Sequence, residues 1–208
     1  TGTLTENRMR VEQVYADGET LPSLPPDAVS REPWRTLLTA LALSNDARPT
    51  TGEDVIGDPT EVALYLAARQ AGADKAVLGK SQPRLAEIAF DSERARMTTL
   101  HRERDGVIAF TKGAPEQVLP LCHDRLAAAG AETLDRGAVE ELAERMAADG
   151  LRVLAVAVRR WPAVPEPLDA GNVESQLTFV GLVGLLDPPR AEAREAVAKE
   201  GTKVCREL

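Results

Sequence analysis

Short connections between strand-like segments constrain the fold of this chain more than any other feature of its sequence. Apolar residues alternate with others along residues 85–90, and strand-like segments follow at residues 97–102 and 107–111. Arg104-Asp105-Gly106, between the last two segments, is typical of a hairpin turn. A hairpin joins antiparallel strands, so the sequence predicts an antiparallel core rather than a doubly wound parallel sheet.

The other elements can be placed around this core. Helices are expected from Pro33, from Asp58 to about Ala71, and over residues 138–148 and 189–200. Asp58 and Pro59 suit the N-cap and first position of a helix. Residues 151–158 are apolar on both faces, as expected for a central strand. The predicted class is α/β, of the α+β type, with an antiparallel sheet of about six strands flanked by helices.

Composition limits the classes of function. The 208 residues carry a net charge of -8, which argues against a nucleic-acid-binding surface because such a surface is basic. Cys122 and Cys205 lie far apart without metal-ligand spacing, so incidental buried thiols are the simplest interpretation. The longest apolar run, residues 177–186, is too short to span a bilayer. These features are those of an ordinary globular domain.

Five short strings of residues occur in a recognisable order along almost the whole chain. They are Thr1-Gly2-Thr3-Leu4-Thr5-Glu6, Gly57-Asp58-Pro59-Thr60-Glu61, Phe90-Asp91-Ser92-Glu93-Arg94, Lys112-Gly113-Ala114-Pro115-Glu116 and Asp187-Pro188-Pro189-Arg190. Each string alone is weak. In this order they resemble the large cytoplasmic loop of the P-type cation-transporting ATPases, of the type-two, calcium-pump-like group.

The resemblance implies the ATP-binding domain of a membrane cation pump. In that family an aspartate two residues before the position of Thr1 is phosphorylated by Mg-ATP. The isolated chain is therefore expected to be catalytically incomplete, with no catalytic or metal-binding residue of its own. The parent protein would couple ATP hydrolysis to cation transport. The implied partners are the phosphorylation, actuator and transmembrane domains of the pump, and the implied location is the cytoplasmic side of a bacterial plasma membrane.

The resemblance also implies a division of the chain. Residues 1–8 would be a piece of the phosphorylation domain, and residues 9–180 the nucleotide-binding domain. Residues 181–208 would form a hinge and a second segment of the phosphorylation domain. We expect the first and last segments to lie side by side, because the nucleotide-binding domain is inserted between them.

Several nucleotide-binding residues follow from the matching strings. Phe90 is expected to stack on adenine, although a core phenylalanine is the alternative. Lys112 would line the adenine pocket beside Met97, and Gly113 would allow close approach of the ligand; a solvated lysine is the alternative for Lys112.

The resemblance also implies contacts with the nucleotide for four further residues. Glu61 would accept a hydrogen bond from the adenine amino group, or would cap a helix instead. Thr60 beside it is a weaker candidate. Arg152 would reach the phosphates, unless it only solubilises a strand end, and Thr1 would touch the terminal phosphate.

One position departs from the family pattern. Calcium-pump-like relatives carry an ATP-contacting lysine two residues before Met97, where this chain has Ala95. Arg96 is a possible substitute, but successive residues of a strand face opposite sides. This departure keeps an alternative open, a non-catalytic regulatory or interaction module with weak or no nucleotide binding. A free-standing phosphatase is a poor third option, because the required acidic motifs are missing from the sequence.

Overall fold

The structure is a computed structural model that describes residues 8–50 and 54–188. Within these ranges the chain forms eleven strands and six α-helices. The strands are β1 (Arg10–Ala16), β2 (Glu19–Leu21), β3 (Arg48–Pro49), β4 (Val55–Ile56), β5 (Arg84–Asp91), β6 (Arg96–Glu103), β7 (Gly106–Gly113), β8 (Cys122–Ala127), β9 (Gly130–Thr133), β10 (Arg152–Trp161) and β11 (Leu177–Leu186). The helices are α1 (Trp34–Leu43), α2 (Pro59–Gln70), α3 (Lys75–Ser81), α4 (Pro115–Val118), α5 (Arg136–Ala148) and α6 (Ala170–Val173).

A large, mostly antiparallel sheet organises the domain. Its main path runs β2-β1-β11-β10-β7-β6-β5, and β8 and β9 extend it to nine strands within the described residues. Only the pairing of β8 with β11 is parallel among these strands. The predicted antiparallel sheet flanked by helices is therefore confirmed. The sheet exceeds the expected six strands because the short strands β2, β8 and β9 carry little periodicity to reveal them.

Two apolar cores lie on opposite faces of the sheet. Helices α1 and α2 cover one face, where Trp34, Leu37 and Leu41 are fully buried. Helix α5 covers the other face, with Val139 and Met146 packed against the sheet. Alternate residues of β10 serve the two cores, as the sequence predicted for a central strand: Val156 and Val158 on one side, Ala155 and Ala157 on the other.

Helix starts follow the predicted capping chemistry. The Asp58 carboxylate accepts a hydrogen bond from the backbone N–H of Thr60 at 2.8 Å, and Pro59 occupies the first helical position of α2. The helix ends at Gln70, and Gly72 follows with a positive φ of 91° that glycine adopts without strain. The start of α5 is two residues earlier than predicted, because Asp135 caps it. The predicted helix at residues 189–200 lies outside the described residues.

The two ends of the described chain meet beside the sheet. The Arg8 backbone N–H donates to the Asp187 carboxylate at 3.3 Å, across 179 residues of sequence. Next to this contact, Arg10 at the start of β1 pairs with Leu186 at the end of β11. The expected division after residue 180 falls inside β11, which is one continuous strand of the main sheet. The assignment of residues 1–8 and 181–208 to a second domain stays a prediction. No helix among the described residues is long and apolar enough to cross a bilayer.

Candidate functional site

A cleft of about 630 Å³ opens between the start of α2, the end of β7 and the start of β10. Seven of the nine residues expected from the sequence line it. They are Thr60, Glu61, Phe90, Met97, Lys112, Gly113 and Arg152. These residues come from five elements of the chain, α2, β5, β6, β7 and β10, which the fold brings together. The volume lies within the range typical of small-molecule sites.

Phe90 lies at the mouth of the cleft near the end of β5. Its side chain is 63% exposed, so the alternative of a core phenylalanine is wrong. Met97, Val153 and Leu154 supply further apolar surface to the cleft walls. An exposed aromatic ring facing an apolar wall can hold a flat ring between them. The cleft therefore offers a slot of the kind that a nucleobase occupies.

Lys112 and Glu61 form a polar pair in the same cleft. The Lys112 ammonium contacts a Glu61 carboxylate oxygen at 2.9 Å and also donates to the Ser44 carbonyl. Lys112 is only 8% exposed, so the alternative of a solvated strand-end lysine is wrong. Burial lowers the pKa of Lys112, while the charge and hydrogen bond of Glu61 act in the opposite direction. One of the three ammonium donors remains free of these two contacts and available to a ligand.

Glu61 links three segments of the chain. Besides Lys112, its second carboxylate oxygen accepts the backbone N–H of Asp46 at 2.9 Å. Asp58, rather than Glu61, caps the first turn of α2. Asp58 is thus the N-cap that the sequence predicted, and the Glu61 carboxylate binds a cation and an amide that are distant in sequence. Each Glu61 oxygen keeps a further lone pair that could accept from a ligand amino group.

Three cations converge on the carboxyl end of α1, where backbone carbonyls lack helical partners. Besides Lys112 on Ser44, Arg84 donates to the carbonyls of residues 43 and 45 at 3.1 and 2.9 Å. Lys75 donates to the carbonyls of residues 45 and 47 at 2.7 and 2.8 Å. Burial, and then the charge of Arg84, lowers the pKa of Lys75 to about 8. The carbonyls at the end of α1 therefore hold all three cations, and the one of Ser44 holds Lys112.

Arg152 also lines the cleft. It starts β10, is exposed, and donates from its guanidinium to the Thr60 hydroxyl at 2.8 Å. Asp58 is a further lining residue. A guanidinium held by one neutral hydroxyl keeps most of its five donors available for an anion.

Gly113 is required by the protein itself. A Cβ at this position would collide with the Ala95 carbonyl and with Arg96 on the neighbouring strand. The family resemblance implied that Gly113 allows the close approach of a ligand. In the structure, Gly113 instead allows the close approach of β6 to β7. Only glycine fits here, since it lacks a side chain.

Arg96 does not lie in the cleft. Its Nε donates to the Glu174 carboxylate at 2.7 Å, on the sheet face opposite to Met97. Alternation along β6 decides this, because residues 96 and 97 point to opposite faces. Ala95 does line the cleft, where its φ of 45° places it in the left-handed region. Thr1 falls outside the described residues.

The sequence interpretation missed several contributors to the site. Asp58, Ala114, Val153 and Leu154 line the cleft, and the carbonyl of Ser44 anchors Lys112. Asp58 and Ala114 belong to two of the matched strings, so their proximity could have been anticipated. Backbone carbonyls carry no sequence signal, since every residue has one. Cys122, as expected, is a buried thiol, and burial raises its pKa to about 12.

Residues 33–192 match the family described as P-type ATPase, cytoplasmic domain N. The chain is 38% identical to Cation-transporting ATPase pma1 of Synechocystis sp., with 95% of this chain and 24% of that protein covered. It is 36% identical to Calcium-transporting ATPase 1 of Bacillus cereus, with 96% and 22% covered. It is 37% identical to Probable cation-transporting ATPase F of Mycobacterium bovis, with 95% and 24% covered.

The chain spans about a quarter of the length of these relatives. The match covers most of the chain, and it includes the strands and helices that build the cleft. On this basis the chain belongs to the P-type cation-transporting ATPases, and its residues 33–192 correspond to their cytoplasmic domain N.

Proposed function

We propose that this domain binds ATP in the cleft between Phe90 and Lys112 and presents its terminal phosphate to an aspartate of a neighbouring domain. One observation carries the proposal: seven residues expected at a nucleotide site come from five separate elements and line one cleft. Phosphoryl transfer depends mostly on positioning and charge stabilisation. The contribution of this domain would be the positioning.

The chemistry of the cleft suits each part of the nucleotide. Phe90 and the apolar wall would enclose adenine, and Glu61 would accept a hydrogen bond from its amino group. The ammonium N–H of Lys112 that neither Glu61 nor Ser44 accepts would lie near the adenine ring. Arg152, which also lines the cleft, would face the phosphates with a planar, permanent charge. The nucleotide would act as Mg-ATP, but no cluster of three metal-ligating side chains occurs among the described residues, so we assign no magnesium ligand here.

The wider role follows from the names of the relatives. We propose that the parent protein is an ATP-driven cation pump of a bacterial plasma membrane. In it, this domain would work with phosphorylation, actuator and transmembrane domains. A second candidate is a regulatory or interaction module of the same fold with weak nucleotide binding. Ala95 at a cleft position where related pumps carry lysine, and Arg96 turned towards Glu174, are the observations that favour it.

Titration of the isolated domain with ATP, followed by NMR, tests the proposal. We expect millimolar or weaker affinity, with amide shifts concentrated around Phe90, Lys112, Glu61 and Arg152. Phe90→Ala should remove these shifts, because base–aromatic stacking contributes about 1–3 kcal/mol per base. The free energy of unfolding of the Phe90→Ala variant should differ little from that of the wild type, since the Phe90 ring is largely exposed.

Leu85→Ala is the matched control for the titration. Leu85 is also an exposed apolar residue of β5, but it does not line the cleft. This variant should bind ATP like the wild type. Shifts that scatter over the surface, or that persist in Phe90→Ala, would refute the site, and an absence of any shift in the wild type would favour the regulatory module.

Ala95→Lys should tighten ATP binding by about tenfold, since a charge-assisted hydrogen bond contributes roughly 1.5–3 kcal/mol before solvent exposure weakens it. Ala95 already has a positive φ, and lysine brings the same Cβ, so the folded state should be equally stable. Ala95→Gln offers similar reach without charge and is the control. The Kd values come from NMR titration at low salt, and equal affinities for the two variants would show that the missing cation is not what weakens binding.

A further inference from the structure

A buried carboxylate lies behind the cleft, on the opposite face of the sheet. Glu174 belongs to the connection between β10 and β11, and its side chain has no exposed surface. Both of its oxygens accept from Arg94 Nη1 at 2.7 Å. Arg96 Nε and the Thr98 hydroxyl donate to it at 2.7 and 2.9 Å. All its side-chain donors therefore come from the turn between β5 and β6 and from the first residues of β6.

Arg94 connects this carboxylate to the cleft. Its second arm, Nη2, donates to the Ala89 carbonyl at 2.6 Å, in the residue directly before Phe90. The Asp91 carboxylate accepts the backbone N–H groups of residues 93 and 94 at 3.0 and 2.9 Å. Glu174 is thus joined through one guanidinium to the backbone that carries the aromatic ring.

We propose that Glu174 is a positioning residue for the nucleotide cleft. By holding Arg94 and Arg96 on either side of Ala95, it fixes the turn so that Phe90 and Ala95 line the cleft. The inference rests on the proposed nucleotide function. It also accounts for the orientation of Arg96, whose guanidinium is committed to the buried carboxylate.

The alternative is that Glu174 only anchors the connection between β10 and β11. That connection has anchors of its own. Val173 is fully buried against the sheet, and Arg159 donates to the Asn172 and Ser175 carbonyls at 3.3 and 2.7 Å. The turn, in contrast, is exposed over residues 91–93. The turn between β5 and β6 has fewer other restraints than the connection, so the turn depends more on Glu174.

Glu174→Gln tests the proposal because it keeps the shape of the side chain and removes its charge. With ATP, the initial slope of the amide shifts against nucleotide concentration should fall by about tenfold, the lower part of the range for a lost stacking contact. Thr98→Val is the matched control. It removes a hydrogen bond to the same carboxylate but leaves the Arg94 arm intact, so its slope should stay within twofold of the wild type.

Hydrogen exchange without nucleotide separates positioning from simple anchoring. If Glu174 positions the turn, Glu174→Gln should speed exchange at the amides of residues 93 and 94. If it only anchors the connection, the faster amides should be those of Val173 and Glu174, which donate to the carbonyls of residues 169 and 170.

Each outcome decides the question. Faster exchange confined to the connection, or an equal loss of binding in Thr98→Val, would overturn the positioning role. Absence of ATP binding in the wild type would count against the proposed function, while the exchange measurement would still decide whether Glu174 holds the turn. If Glu174→Gln fails to fold, Arg94→Ala interrupts the same link from a partly exposed residue, with the same expected result.

Discussion

Lys112→Met is expected to lower the free energy of unfolding by about 3–5 kcal/mol, the usual cost of removing one partner of a buried ion pair. The side chain of Glu61 is 17% exposed and would be left without its cation. The Ser44 carbonyl at the end of α1 would lose its donor as well. Methionine preserves most of the apolar stem, so the loss would report the charge and not a cavity.

Urea denaturation at neutral pH measures the effect. Lys80→Met, on the exposed surface of α3, is the control and should change stability by less than about 0.5 kcal/mol. The double variant Lys112→Met with Glu61→Gln should lose less than the sum of the single changes, because neither member then leaves an unpaired charge. A loss below 1 kcal/mol in Lys112→Met would show that the pair is not effectively buried in solution.

Acidification from pH 6.5 to pH 4 should destabilise the domain by about 3 kcal/mol through His101 alone. His101 is 2% exposed and packs against Phe110. Burial lowers its pKa from 6.5 to about 4; the Gln82 carbonyl opposes this shift, and the charges of Arg84 and Lys75 add to it. Between these two values the unfolded chain binds more protons than the folded protein. Stability therefore falls as the pH drops through this window and stays level below it.

The hydrogen bonds of His101 fit a neutral ring. Nδ1 lies 3.1 Å from the Gln82 carbonyl, which can only accept, so Nδ1 carries the proton. Nε2 lies 3.0 Å from the Thr99 hydroxyl and accepts from it. Protonation of Nε2 would force the buried hydroxyl to give up its donor role.

Denaturation curves at several pH values test this expectation. His101→Gln should lose about 3 kcal/mol less than the wild type between pH 6.5 and 4, because the titrating group is gone. His123→Gln replaces the other histidine, whose side chain is 50% exposed, and is the matched control substitution. Parallel pH profiles for the wild type and His101→Gln would contradict the assignment.

The sequence determined much of the local structure because the responsible signals are local. Asp58 and Pro59 start α2 through their own backbone and side-chain chemistry. Arg104-Asp105 connects β6 and β7 as a tight hairpin, with Gly106 as the first residue of β7. The doubly apolar pattern of residues 151–158 identified a central strand. Strands β8 and β9 were missed, since their burial is irregular along the chain.

The motif strings also named most of the residues that line the cleft, but only the tertiary structure decided their partners. Lys112 reaches Ser44 and Glu61 across 68 and 51 residues of sequence. Arg96 turns away from the cleft towards a carboxylate 78 residues further on. A single sequence records which charges are present, not which of them a fold brings within 3 Å. The physical reason is that burying a charge is costly without a partner, and the partners of these buried charges are supplied by segments distant in the chain.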